Sequence, residues 1–313
     1  MSSPAPRRPA GRWLTYGIAA VLLVAVAAHV SGTREELANL QRISIEVLLL
    51  TGVLQFGSQI FLNGSLLLPI QACVTGLGFW ELYLVRTGGL AVGSLVPVAG
   101  GLAVRLAYLR TLGLTYLDFA WATLFSNVLA LGAAAMLAAG ATAALWMMAG
   151  RPPWPLLVVL GGVLLLSIGA LGVLEILPWL ARHPRFHEWG WLSGLNQPRS
   201  ARRMAGPVFA LSLVRHLLNF VTFGVLWQAL AGGGVGVLTG GIVYALTSPV
   251  RIVNITPGNL GINEWVVALV GNILAFDLTT GFLVALVFRG VGIVAQGVGA
   301  LVASAYLAYN RPP

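Results

Sequence analysis

The chain has 313 residues, of which 58% are hydrophobic and only 9% are charged. A soluble domain carries about 25% charged residues, so these fractions exclude a soluble globular protein and indicate an integral membrane protein. All 18 basic residues are arginine, against 9 acidic residues, which gives a formal net charge of +9. No basic soluble segment is long enough to form a nucleic-acid-binding domain. We therefore attribute the excess positive charge to membrane topology.

Six stretches of the chain are long and apolar enough to cross a bilayer, which takes about 20 residues. They are residues 13–30, 43–67, 117–149, 154–177, 207–230 and 279–309. We interpret the first as a span rather than a cleaved signal peptide, because His29-Val30-Ser31 is a poor small-residue cleavage site. The 117–149 stretch is longer than one span requires, which predicts either a tilt or a break near Gly140.

Two further apolar stretches, residues 79–110 and 237–276, are interrupted in the middle by proline and glycine. Both residue types disfavour a continuous helix. We therefore predict that each stretch forms two half-helices around a turn. The predicted turn residues are Pro97, Gly100 and Gly101 in the first stretch and Pro257, Gly258 and Gly261 in the second.

The distribution of arginine predicts the orientation of the spans. Arginine accumulates in short cytoplasmic loops, and the richest loop contains Arg182, Arg185, Arg199, Arg202 and Arg203. This loop and the N-terminal tail lie on the same side only if the 79–110 stretch enters the membrane and returns. On the same count, the 237–276 stretch enters from the external side, and both chain termini are cytoplasmic.

The predicted fold is an all-α polytopic membrane protein with about six full spans and two re-entrant helical hairpins in an inverted repeat. A shift of 160 residues, the difference between 257 and 97, superposes Pro97 on Pro257 and Gly101 on Gly261. Inverted repeats with broken helices are a transporter design. We predict a single domain (13–309) between a cytoplasmic N-terminal tail (1–12) and a C-terminal tail (310–313). Within the domain, half 1 (43–149) is followed by a linking helix (154–177), a cytoplasmic loop (181–206) and half 2 (207–309).

Three charged residues fall inside predicted apolar segments: Arg105, Glu264 and Arg289. A charge in the hydrocarbon costs about 2.5–3.5 kcal/mol on insertion scales and by default marks function. Arg105 and Glu264 each lie about one turn beyond a proline-glycine turn, so they approach each other if the two turns meet. We predict that these three residues bind a substrate or gate its path. The alternative is a buried ion pair that only fixes how the two halves dock.

The remaining charged residues in or beside the spans have simpler interpretations. Arg86, Arg110, Arg215 and Arg251 lie near predicted helix ends and are expected to extend to the membrane interface. Asp118 and Asp277 directly precede or begin spans and are expected to cap helices. We interpret His216 as a helix histidine with its hydrogen bonds satisfied, with a proton carrier as the alternative.

No catalytic or metal-binding pattern is present in the sequence. His183 and His187 are four residues apart, but no glutamate follows the first and Pro184 disfavours a helix there. Cys73 is the only cysteine and lies in an apolar stretch, so we interpret it as a small buried residue. We therefore expect no enzymatic activity, no cofactor and no metal site.

Two segments resemble the transmembrane-region family of lysylphosphatidylglycerol synthases, which are flippase-like membrane domains. They are Leu95-Val96-Pro97-Val98-Ala99-Gly100-Gly101-Leu102-Ala103-Val104-Arg105 and Thr256-Pro257-Gly258-Asn259-Leu260-Gly261-Ile262-Asn263-Glu264, with Arg289 matching an arginine in the last helix. The resemblance covers about residues 43–308. It implies a role in lipid translocation, and it does not imply lysyl transfer because the sequence carries no soluble aminoacyl-transferase domain.

The expected function is movement of an anionic phospholipid or a lipid-linked precursor between the leaflets of a bacterial inner membrane. Arg105 and Arg289 would hold the phosphate together with backbone N–H groups at the broken helix ends, while Glu264 would close the site or couple transport to protons. No phosphate-loop motif is present, so the process is not driven by ATP. Two alternatives remain: a secondary transporter of a small polar anion, and a non-transporting partner of a cell-envelope enzyme. The expected partners are membrane lipid and either a second copy of the chain or such an enzyme, with no nucleic acid.

Overall fold

A computed structural model describes residues 40–41, 43–95, 100–150, 154–182, 201–231, 236–252 and 261–310. Several predicted features lie outside these residues: the 13–30 span, Pro97, Pro257, Gly258, and most of the arginine-rich loop with His183 and His187. The predictions made for them stay predictions.

The described residues are almost entirely α-helical and contain no β-strand, which confirms the all-α class. Within them, nine α-helices follow one another along the chain. They are α1 (Ile45–Gln71), α2 (Phe79–Leu95), α3 (Gly100–Thr111), α4 (Tyr116–Ala149), α5 (Trp154–Arg182), α6 (Ala201–Ala231), α7 (Val237–Thr247), α8 (Ile262–Ile273) and α9 (Leu278–Tyr309). A 3₁₀ segment, Ser248–Ile252, directly follows α7.

Five of these helices, namely α1, α4, α5, α6 and α9, are long and apolar enough to cross a membrane. They correspond to the predicted spans other than 13–30. Helix α4 continues through Gly140 without a break over 34 residues, or about 51 Å. Because this exceeds the roughly 30 Å hydrocarbon core, α4 must tilt or extend beyond it.

Helix α6 begins at Ala201, before the apolar stretch predicted from residue 207, and contains Pro207 within it. The sequence suggested a start at residue 207 because the apolar stretch that follows the arginine-rich loop begins there. Membrane helices tolerate internal proline because neighbouring groups satisfy the freed backbone. Residues 201–206 therefore belong to a helix and not to a loop.

The side chains of α1 are arranged as expected for a helix facing lipid outside and polar groups inside. Ile45, Leu49 and Val53 on its surface are 63%, 64% and 69% exposed. Its buried residues are mostly polar and include Thr51, Gln55, Ser58, Gln59, Asn63 and Ser65. A water-soluble bundle buries its apolar face instead, so this inverted pattern supports a membrane environment for the helix.

Helices α2 and α3 form an antiparallel pair. The Tyr108 hydroxyl of α3 donates a hydrogen bond to Glu81 at the start of α2, and the opposite ends meet where Gly89 contacts Gly101. A Cβ atom on Gly89 would lie 2.7 Å from the Gly101 carbonyl oxygen, so only glycine allows this approach. The predicted division of 79–110 into two short helices is confirmed, although Gly100 and Gly101 begin α3 and do not belong to the turn before it. The 237–276 stretch likewise contains two short helices, α7 and α8, which contact each other.

The two halves of the chain show the same order of elements: one long helix, two short helices and one long helix, with α5 between the halves. The first long helices, α1 and α6, pack closely along each other. A Cβ atom on Gly57 would meet Leu218, and one on Gly64 would meet Leu211. From Gly57 to Gly64 the chain runs forward along α1, whereas the residues that these glycines meet on α6 run backward, from Leu218 to Leu211. The two helices are therefore antiparallel.

Candidate functional site

Glu264 is placed by the first turn of α8. Gly261, which precedes the helix, has a φ of +85°, a conformation that favours glycine. Its N–H donates a 2.8 Å hydrogen bond to Oε2 of Glu264, and only 2% of Glu264 is exposed. The helix start thus holds a buried carboxylate in a fixed position. The Gly261 N–H, one of the backbone donors expected to bind phosphate, is already bonded to this side chain.

Arg289 neutralises Glu264 from the facing helix. Its Nη2 atom lies 2.9 Å from Oε1 of Glu264, and 21% of the Arg289 side chain is exposed. The two carboxylate oxygens therefore have different partners, a backbone N–H and a guanidinium. A sequence separation of 25 residues, from 264 to 289, is bridged because α8 and α9 pack against each other.

The ion pair borders a cavity of about 180 Å³. Helix α1 contributes two glutamines, Gln55 and Gln59, and the wall is completed by α8 and α9. The lining residues are Gln55, Gln59, Asn263, Glu264, Ala285, Phe288, Arg289, Gly292, Ile293 and Gln296. A space of this size exceeds what a few waters need, and six of its ten lining residues carry amide or charged groups.

The cavity lies near the middle of two membrane-length helices. The central residue of α1, which runs from 45 to 71, is residue 58, between the cavity residues Gln55 and Gln59. The centre of α9, which runs from 278 to 309, falls beside the cavity residues Gly292 and Ile293. The polar groups are therefore placed where the hydrocarbon would be deepest.

Arg105, the third predicted site residue, does not line this cavity. Its Nε atom donates to the Gly101 carbonyl oxygen at 3.3 Å within α3, and the side chain lines a second, narrower cavity together with Arg86. The structure thus brings Glu264 and Arg289 together, and it places Arg105 beside an arginine rather than a carboxylate.

The interfacial position expected for Arg86 is wrong. The residue is only 3% exposed, and its Nη2 donates a 2.7 Å hydrogen bond to Oε1 of Gln59. Its Nε has no hydrogen-bond partner, and its guanidinium lies 5.4 Å from the centroid of the Tyr83 ring. Packing of α2 against α9, with the Tyr83 ring against Gly299, buries this face of α2 instead of leaving it at the membrane surface.

Gln55, Gln59 and Arg86 are the site residues that the sequence analysis missed. A signal for the glutamines was present, because Thr51, Gln55, Gln59 and Asn63 recur every fourth residue in an otherwise apolar helix. Such a row occupies one helical face. Each member is at least nine-tenths buried, and Gln55 Nε2 and Asn63 Oδ1 have no partner within the described structure.

Helix α6 has a matching buried polar face. Ser212, His216, Asn219 and Thr222 are each at most 5% exposed. His216 Nδ1 lies 3.0 Å from the hydroxyl of Tyr244 on α7. Because α1 and α6 pack along each other, the interior of the bundle is polar around their contact.

The other carboxylates act at helix ends. Asp277 caps α9 and accepts from the N–H of Thr280 at 2.9 Å, as predicted. Asp118 supports the Thr115 cap of α4 and accepts from its hydroxyl at 2.6 Å. Arg110 is exposed and donates to the hydroxyl of Tyr116 at 2.5 Å, in line with an interfacial position.

Cys73 follows α1 and is half-buried. Burial raises the pKa of its thiol to about 11, so it stays protonated near neutral pH and is a poor nucleophile. Among the described residues, no three or more His, Cys, Asp or Glu side chains are grouped as a metal site would require.

No protein-family model, curated protein or solved structure matches this chain.

Proposed function

We propose that the protein moves an anionic phospholipid, or a lipid-linked precursor, between membrane leaflets without ATP. The observation that carries this proposal is the polar cavity at the middle of α1 and α9, where Glu264 and Arg289 are paired. Polar groups at that depth are costly, and non-helical backbone there is tolerated where it lines a wet cavity. A head group crossing the bilayer needs such a polar path.

A position beside lipid supports a lipid substrate over a small soluble anion. Ile293 lines the cavity and is also 63% exposed. Its neighbour Val294, 66% exposed, belongs to the apolar outer face of α9. Acyl chains could therefore stay in the bilayer while the head group enters the cavity. A transporter of small anions would instead need a path sealed from lipid.

The inverted repeat is part of the same proposal. The repeated order of long and short helices, and the antiparallel packing of α1 against α6, are what a two-fold axis in the membrane plane would produce. In this arrangement the α2–α3 pair enters from the cytoplasmic side and the α7–α8 pair from the external side. The termini are then cytoplasmic in a bacterial inner membrane.

Transport is tested with liposomes that contain a fluorescent phosphatidylglycerol in both leaflets and an impermeant quencher outside. Wild-type protein should extend quenching from the outer-leaflet half to nearly all of the label. Glu264→Gln should lower the initial rate about tenfold or more, because Arg289 loses its anionic partner. Arg110→Ala, which removes an exposed arginine outside the cavity, is the matched control and should match wild type. If liposomes with wild-type protein show no more quenching of the label than protein-free liposomes, the proposed function is refuted.

The hairpin topology is tested by cysteine labelling in a Cys73→Ser background. Thr75 and Leu112 are exposed residues just before α2 and just after α3. If the pair is re-entrant, Thr75→Cys and Leu112→Cys should both react with an impermeant maleimide added from the cytoplasmic side. Reaction of the two positions from opposite sides would show that the segment crosses the membrane.

A further inference from the structure

Arg86 has a charge that no described carboxylate balances. Five acidic side chains are described, and each has a partner other than Arg86. Glu46 contacts Ser44, Glu81 binds Tyr108, Asp118 binds Thr115, Glu264 binds Arg289 and Asp277 caps α9. The side chains close enough to act on Arg86 are Tyr83, whose ring lies against the guanidinium, and two further arginines, Arg105 and Arg215. A nine-tenths buried cation among other cations calls for an anion.

The hydrogen bond that Arg86 does make is to a neutral group. Gln59 Oε1 accepts from its Nη2 at 2.7 Å, while Nε has no partner. Guanidinium groups bind phosphate through two parallel N–H donors. In Arg86 the Nη2 donor is bonded to the amide oxygen of Gln59, and the Nε donor is unused. This arrangement is expected if a phosphate oxygen can replace the amide oxygen.

Gln59 also separates the two cavities. It lines the 180 Å³ cavity beside Glu264 and Arg289, and through Arg86 it adjoins the narrow cavity that Arg86 shares with Arg105. The space that Arg86 shares with Arg105 is only about 10 Å³, close to the size of one water, so we expect a ligand to reach Arg86 only when the Gln59 side chain rotates and joins this space to the larger cavity. Arg289, by contrast, already has Glu264 as its counter-ion.

We propose that Arg86, with Arg105, is the binding site for the phosphodiester of the substrate, and that Gln59 is the group the phosphate displaces. This site rests on the proposed function and names its substrate class, a singly charged phosphodiester. The Glu264–Arg289 pair then borders the path to the site and does not bind the phosphate itself.

Gln59→Glu tests the site with almost no change in shape. The new carboxylate would lie within reach of Arg86 and form an internal ion pair that competes with the ligand. We expect the purified variant to unfold at the same or a higher temperature than wild type, which separates this effect from misfolding. Its affinity for dioleoylphosphatidylglycerol, measured in detergent against neutral dioleoylglycerol, should fall about tenfold or more. Gln55→Glu, which places a carboxylate in the same cavity one turn away, is the matched control and should retain more affinity.

Two measurements separate three outcomes. Unchanged phosphatidylglycerol affinity in Gln59→Glu would overturn the site, even if the wild type transports lipid. Wild-type binding that is lost in Gln59→Glu would support the site, even if no transport is seen and the proposed function fails. The second measurement adds inorganic phosphate at the same concentration as the lipid. If phosphate raises the unfolding temperature of the wild type as much as the lipid does, and has no such effect on Gln59→Glu, the anion site is supported and its ligand is a free anion.

Discussion

Replacing Arg289 with methionine should destabilise the protein more than replacing Glu264 with glutamine. Both changes break the 2.9 Å ion pair, but the two partners differ in their access to water: Glu264 is 2% exposed and the Arg289 side chain 21%. Without Arg289 a buried carboxylate is left uncompensated, which costs about 3–5 kcal/mol. Without the Glu264 charge, Arg289 can still turn towards water, and the glutamine can still accept from Gly261, so a loss of about 1–2 kcal/mol is expected.

Thermal unfolding of the purified variants in one detergent measures this difference. The double variant Glu264→Gln/Arg289→Met removes both charges and should be close to wild type in stability, because a buried ion pair can be replaced by uncharged groups at little cost. Equal losses from the two single changes would contradict the burial difference on which the expectation depends.

The same double variant decides between the two interpretations of the ion pair. If the pair only fixes the packing of α8 against α9, the double variant should regain lipid transport along with its stability. If the pair serves the transport path, stability should return while transport stays low. This comparison does not depend on how any single variant folds.

The sequence predicted the spans well because membrane insertion imposes a simple rule of length and hydrophobicity. Five long helices appear where apolar stretches of sufficient length were found. The two broken stretches were also predicted correctly, because proline and glycine act locally. The start of α6 at Ala201 was missed because the apolar stretch begins only at residue 207, whereas the helix also includes Arg202 and Arg203 before it.

The site was predicted only in part, because partners depend on packing between distant helices. Glu264 and Arg289 were selected as charges in apolar segments, and the structure pairs them. Arg105 was selected by the same rule, but the sequence could not show that its neighbour is Arg86. Arg86 itself was assigned to the interface because it lies near a predicted helix end, whereas the contact of Tyr83 with Gly299 buries it.

Gly281→Ala should destabilise the protein, while Gly290→Ala on the same helix should not. A Cβ atom on Gly281 would lie 2.8 Å from the Cα of Ala268 on α8, and backbone cannot move aside as a flexible side chain can. Overpacking of this kind costs about 1–3 kcal/mol. A Cβ atom on Gly290 meets nothing within 4 Å, and alanine is favoured over glycine in a helix by up to about 1 kcal/mol.

This pair of changes also tests whether the spacing of α8 and α9 controls the site. Ala268 lies one turn beyond Glu264, so separating the helices at Gly281 should lengthen the contact between Glu264 and Arg289. We therefore expect Gly281→Ala to lower the lipid-transport rate per folded protein as well as the unfolding temperature, with Gly290→Ala at the wild-type rate. If Gly281→Ala lowers stability but leaves that rate unchanged, transport does not depend on the exact geometry of the ion pair. That outcome would agree with phosphate binding by Arg86 and Arg105, whose positions are set by α2 and α3.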